Sequence, residues 1–150
     1  MPRHTDSLLD LNRSYTITDN TQERAAQLGC IMVVPAYNQL QIDIDTPEQF
    51  IEYATRLKTL RENRPDLIFT EDVRSSRSGG SRYHSTLTFS NMLFDQTSRI
   101  AWQMMLASDP VREALSMFGV IMGHENPSVF FERGTQPCVY QTTPLPEVPF

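Results

Sequence analysis

Ahead of Thr46 the chain reads Ile42-Asp43-Ile44-Asp45, two carboxylates one residue apart with isoleucines between and before them. In an extended strand, residues two apart share a face. Burying the isoleucines therefore sets Asp43 and Asp45 side by side on the opposite face. Two hard oxygen donors at a strand end suit Mg²⁺ or Mn²⁺, which take one or two carboxylates and complete their shell with water and substrate phosphates. A third acid, Glu132, closes the apolar run Val129-Phe130-Phe131 and would permit two metals for an in-line displacement at phosphorus. Asp95, just before a predicted helix, is the fallback for that third position.

The string Arg77-Ser78-Gly79-Gly80-Ser81-Arg82-Tyr83-His84 offers the complementary chemistry. Glycine lets backbone N–H groups turn toward an anion, serine adds a hydroxyl donor, and arginine adds a fork that fits phosphate oxygens. His84 enters from the strand that follows and can donate to the same phosphates. Arg77, Ser78, Gly79, Gly80, Arg82 and His84 are the candidate phosphate-binding residues. The segment reads equally as a flexible polar hairpin carrying a surface histidine, and an open sheet face is polar in any case.

The elements that must position these groups follow from periodicity and punctuation. A short helix is predicted over Thr21–Leu28, ending at Gly29, and a buried strand over Cys30–Val34, ending at Pro35. Leu40–Asp45 alternates as a strand. A helix follows directly, with Thr46 as cap, Pro47 first, Gln49 three residues after the cap, and an apolar stripe of Phe50, Ile51, Ala54, Leu57 and Leu60. Leu67–Thr70 and Tyr83–Phe89 read as strands flanking the polar loop. Gln96–Phe118 reads as helix interrupted at Ser108-Asp109-Pro110, where Asp109 can cap a new helix. Ser128–Glu132 reads as the last strand, and the proline-rich tail is expected to run extended.

From Leu40 onward the order is strand, helix, strand, strand, helix, strand. That predicts an α+β fold of ferredoxin-like or RRM-like βαββαβ type, an antiparallel sheet with helices on one face. The whole is expected to be one domain: an N-terminal extension over 1–38, a palm-like core over 39–133 and a tail over 134–150. In this reading Leu87 and Phe89 face the helices, sending His84 to the open side, and Val129 and Phe131 likewise send Glu132 there.

The chain has 150 residues and a formal charge of −5, which excludes a globally basic nucleic-acid binder. Basic residues concentrate instead in the stretch from Arg74 through Arg77 to Arg82, which contains no acid. No apolar run is long enough to span a bilayer, and the opening residues lack the apolar core of a secretory signal, so a cytoplasmic protein is expected. Cys30 and Cys138 lie far apart and read as buried free thiols. The His84-Ser85-Thr86 triplet fits a two-histidine phosphoesterase motif, but the second copy such an enzyme needs is missing. A nucleophile elbow for a serine hydrolase is missing too.

Taken in order, the acidic pair within a hydrophobic strand, the serine–glycine loop leading to a strand histidine, and the acid ending a hydrophobic strand resemble the catalytic core of the archaeo-eukaryotic primase superfamily. The spacing from Ser78-Gly79 to His84 is similar to that in replicative primase small subunits and bacterial end-joining polymerase domains. The resemblance runs from Leu40 to Glu132, and in size the chain is similar to small phage or plasmid proteins of this type. It implies a metal-dependent nucleotidyltransferase working on nucleoside triphosphates and a nucleic-acid template. Asp43, Asp45 and Glu132 would be the catalytic metal ligands for Mg²⁺ or Mn²⁺, and Ser78, Arg82 and His84 would grip the triphosphate. The alternative is an inactive primase-like scaffold that binds a nucleotide, or a host or replisome protein.

Overall fold

Alternation of buried and exposed positions decides the layers of this protein, whose computed structural model describes residues 18–76 and 82–133. Strand β2 (Gln39–Ile44) pairs antiparallel with β4 (Tyr83–Phe89), from Gln39↔Thr88 to Ile44↔Tyr83. On its other side β4 pairs antiparallel with β3 (Phe69–Ser75), giving the order β2-β4-β3. Leu40, Ile42, Ile44, Leu87 and Phe89 form the apolar face of this sheet. Helix α2 (Pro47–Asn63) packs there through Tyr53, Leu57 and Leu60, and α3 (Gln96–Met105) reaches the same core through Trp102. The fold is thus α+β with antiparallel sheets, consistent with a ferredoxin-like arrangement.

Helix limits follow their predicted caps. The Thr46 hydroxyl accepts from the Gln49 amide at the start of α2, and Asp109 caps α4 (Pro110–Ile121), with Pro110 as its first residue. Helix α1 (Gln22–Gln27) is capped by Thr21 and is followed by Gly29 at a positive φ of 69°, a conformation glycine takes without steric cost. Helix α2 differs from its predicted stripe: Tyr53 is buried, whereas Ala54 is exposed and Ile51 is 67% exposed. The stripe is therefore rotated toward Tyr53, which hydrogen-bonds Glu71 and Ser85 across the sheet.

The last strand does not take the place that a plain βαββαβ order gives it. Strand β5 (Phe130–Arg133) pairs antiparallel with β1 (Cys30–Val33), from Cys30↔Arg133 to Val33↔Phe130, as a separate two-stranded ribbon. The free edge of β2, where that strand would dock, is satisfied by other groups. Arg99 donates to the Gln39 carbonyl, Arg112 to the Gln41 carbonyl, and the Asp109 amide to the Asp43 carbonyl. In return the Gln41 and Asp43 amides donate to the side chains of Gln103 and Ser108. Buried backbone groups need partners, and the α3–α4 segment supplies them. Arg99 is held so deeply for this task that burial brings its pKa down to about 10.

The ribbon instead covers part of the sheet face expected to be open. Phe130 stacks on His84, and Gln41 Nε2 donates to the Val33 carbonyl. Cys30 and Met32, together with Val129 and Phe131, pack on the ribbon's far side with Ala25 of α1. Val129 and Phe131 therefore face α1, not the helices of the main sheet, while Phe130 and Glu132 face the sheet. The predicted N-terminal extension over 1–38 thus supplies a strand of the core architecture. Among the described residues no helix is long and apolar enough to cross a membrane. Cys30 is a buried free thiol; Cys138 and the predicted tail lie outside the described residues.

Candidate metal and phosphate site

Strand parity brings the first acid to the site. Ile42 and Ile44 are fully buried against the helices, so Asp43 projects from the other face, directly opposite His84 in the β2–β4 register. Asp45 lies just past the end of β2, where its amide donates to Gln49 Oε1 at 2.9 Å. The Gln49 amide group then donates to the carbonyls of Asp43 (2.7 Å) and Ala107 (2.8 Å). A residue predicted to complete a capping box thus ties the end of β2 to the turn before α4.

That turn delivers a third acid. One ligand atom from each of Asp43, Asp45 and Asp109 lies within 4.8 Å of the others, the one such group of three among the described residues. Asp109 is anchored through both backbone and side chain: its amide donates to the Asp43 carbonyl at 2.8 Å, and its carboxylate accepts from the Arg112 amide at 3.3 Å. Crowded carboxylates disfavour their own ionisation, and a divalent cation relieves that cost. Burial pushes the Asp43 carboxyl up to about 6; the nearby Arg112 works against this and Asp45 adds to it. The donor set, carboxylate oxygens alone, fits a hard divalent ion such as Mg²⁺ or Mn²⁺.

Asp43 and Asp45 border a cavity of about 300 Å³, lined also by Ser76, His84, Arg112 and Phe130. Arg112 is bound on several sides. Its guanidinium donates to the Gln41 and Val129 carbonyls at 3.0 Å each, pairs with the buried Glu113, and lies 4.8 Å from the centre of the Phe130 ring. It stitches ribbon to sheet and places a positive charge beside the acids. Glu113 also accepts from Ser108 and Gln103, the side chains that hold the free edge of β2.

Asp43, Asp45 and His84 line one cavity. His84 is 8% exposed, with Nε2 3.5 Å from Asp43 Oδ1 and Nδ1 3.1 Å from Glu132 Oε2. Glu132 therefore lies behind the histidine, outside the group of three carboxylates. Asp95 also lies outside it: this exposed residue caps α3, and hydrogen bonds from Ser98 hold its carboxyl below the usual range. Arg82 is half-buried just before β4, and its carbonyl accepts from the Ser76 amide. Arg77, Ser78, Gly79 and Gly80 fall outside the described residues.

Sequence reasoning saw Asp109 only as a cap and did not single out Arg112. The Asp-Pro pair marks a helix start, but only the packing of that start on the end of β2 gives Asp109 its second role. Compared with known proteins, the chain matches no family model, no curated protein and no solved structure.

Proposed function

We propose that this protein is a metal-dependent nucleotidyltransferase of primase–polymerase type, using nucleoside triphosphates and a nucleic-acid template. The observation that carries the reading is the meeting of Asp43, Asp45 and Asp109 within 4.8 Å; the motif order from Asp43 to His84 supports the particular reaction class. Asp109 takes the place that the sequence resemblance gave to Glu132. A Mg²⁺ or Mn²⁺ ion held by the three acids would supply activation of the attacking hydroxyl and neutralise charge on the leaving pyrophosphate. Arg82, the residue just before β4, would contribute charge for phosphates, with Arg77, Ser78, Gly79 and Gly80 as further candidates. A cavity of about 300 Å³ is at the small end for ligand pockets and suits phosphates, with base and sugar at its mouth. A cytoplasmic location, that of the host for a phage-encoded protein, goes with this reading.

The test is incorporation of nucleotides on a primed template with Mn²⁺, abolished by Asp43→Ala. One observation favours a second reading: both His84 nitrogens face carboxylates, and the ring is stacked beneath Phe130. That suits an inactive primase-like scaffold that binds a nucleotide or a host or replisome protein. Metal-dependent nucleotide binding without incorporation would favour this scaffold. Folded protein with neither property would end the nucleotide reading.

A further inference from the structure

We propose that His84 is a positioning residue that sets the Asp43 carboxylate for a cation, and that Glu132 in turn sets His84. The inference rests on the metal reading of the acidic cluster and deepens it. Asp43 and His84 are direct partners across β2 and β4, so their side chains leave the sheet as neighbours. The two ring nitrogens face different carboxylates, at 3.5 Å (Asp43) and 3.1 Å (Glu132). The Phe130 ring lies 3.8 Å from the imidazole with 5° between the planes, which fixes the tilt that two edge contacts alone would leave free.

Burial follows the same sequence. The Glu132 and His84 side chains are 8% and 9% exposed, whereas Asp43, at the cavity, is 19% exposed. A ring held at both edges and on one face cannot swing toward a phosphate without abandoning Glu132 and the stack. Holding one oxygen of Asp43 requires no such movement. The 3.5 Å contact is long for a hydrogen bond, yet it is close enough for the fixed ring to limit how the Asp43 carboxylate can turn. With Oδ1 so engaged, Asp43 offers its second oxygen to the ion. Partners of this kind, one step removed from a metal, typically alter its affinity by about 10–100-fold.

The probe is Mn²⁺ alone, titrated into the full chain without nucleotide and followed by calorimetry or electron paramagnetic resonance. His84→Leu and Glu132→Leu are each expected to weaken Mn²⁺ binding by about 10–100-fold. His84→Gln, whose amide can stand near the Nε2 position, recovers much of the loss. Nucleotide affinity at saturating Mn²⁺ stays near that of the natural chain in all three. Unchanged Mn²⁺ affinity in His84→Leu together with lost nucleotide affinity overturns the proposal and makes His84 a phosphate donor. If His84→Leu does not fold, Glu132→Leu and His84→Gln decide, and unchanged Mn²⁺ affinity in Glu132→Leu overturns the proposal. A natural chain that binds no Mn²⁺ is a distinct result, which removes the metal reading itself and this inference with it.

Discussion

The backbone amide of Asp109 donates to the carbonyl of Asp43 at 2.8 Å, so the helix that Asp109 caps begins against the strand that carries the acidic pair. Asp109 therefore has two separable tasks, and two substitutions separate them. Asp109→Asn keeps a good cap and removes one ligand charge, which should cut Mn²⁺ affinity by about 10-fold or more with little change in metal-free melting. Asp109→Ala should lose the metal and also about 1 kcal/mol of stability from the cap. Calorimetric titration and thermal melts check both; undiminished Mn²⁺ binding by Asp109→Asn would make Asp109 a cap and nothing more.

Asp43 gives the site a pH dependence with a definite sign. Its carboxyl is raised from 3.8 to about 6, chiefly by burial, so between those values the folded chain holds a proton that the unfolded chain has released. The stabilising contribution is complete below about pH 4 and is lost as pH rises through about 6. Cation binding needs the ionised form and strengthens over the same interval. Melting temperatures from pH 4.5 to 7.5 should show the increment from added Mn²⁺ growing as pH rises past 6. In Asp43→Asn that growth should disappear; its persistence would assign the titration to another group.

The Arg112–Glu113 pair should behave as a structural unit. Glu113 is fully buried and accepts from Arg112, Ser108 and Gln103. Removing one partner of a buried pair leaves an uncompensated charge, at a cost of about 3–5 kcal/mol. Arg112→Met should lower stability by that amount in urea unfolding, and Arg112→Met with Glu113→Gln should restore part of it. A single substitution costing under about 1 kcal/mol would mean the pair behaves like a solvated surface one.

Gly119 tests the packing that launches β5. A Cβ there would meet Pro127 Cβ at 3.0 Å and His124 Nδ1 at 3.3 Å. Helix propensity favours alanine by about 1 kcal/mol, whereas overpacking costs about 1–3 kcal/mol. The steric cost should win, and Gly119→Ala should unfold at lower urea. A stabilised variant would show that the 127 turn yields easily.

Legibility from sequence varied for physical reasons. Strand β4 and the caps of α2 and α4 rest on local signals, alternation and capping chemistry, and the structure places them where those signals point. Strand β3 extends to Ser75, well past the predicted Thr70. Its later residues, Glu71 through Ser75, are exposed on an edge, where no buried face imposes an apolar period. The loop carrying Arg77, Ser78, Gly79 and Gly80 lies outside the described residues, so that part of the proposed site rests on its sequence.

By itself the sequence determined which face the residues of β2 and β4 take. Isoleucines flanking Asp43, with Leu87 and Phe89 on β4, set Asp43 and His84 on one side of one sheet, because side-chain alternation is a local property of extended backbone. Only the tertiary structure decided what meets them there. The free edge of β2 is satisfied by Arg99, Gln103, Ser108, Asp109 and Arg112, and β5 pairs with β1 across the sheet face. Both outcomes follow from how distant segments satisfy backbone hydrogen bonds, which no local pattern encodes. They bring Asp109 beside the acidic pair and set Glu132 behind His84.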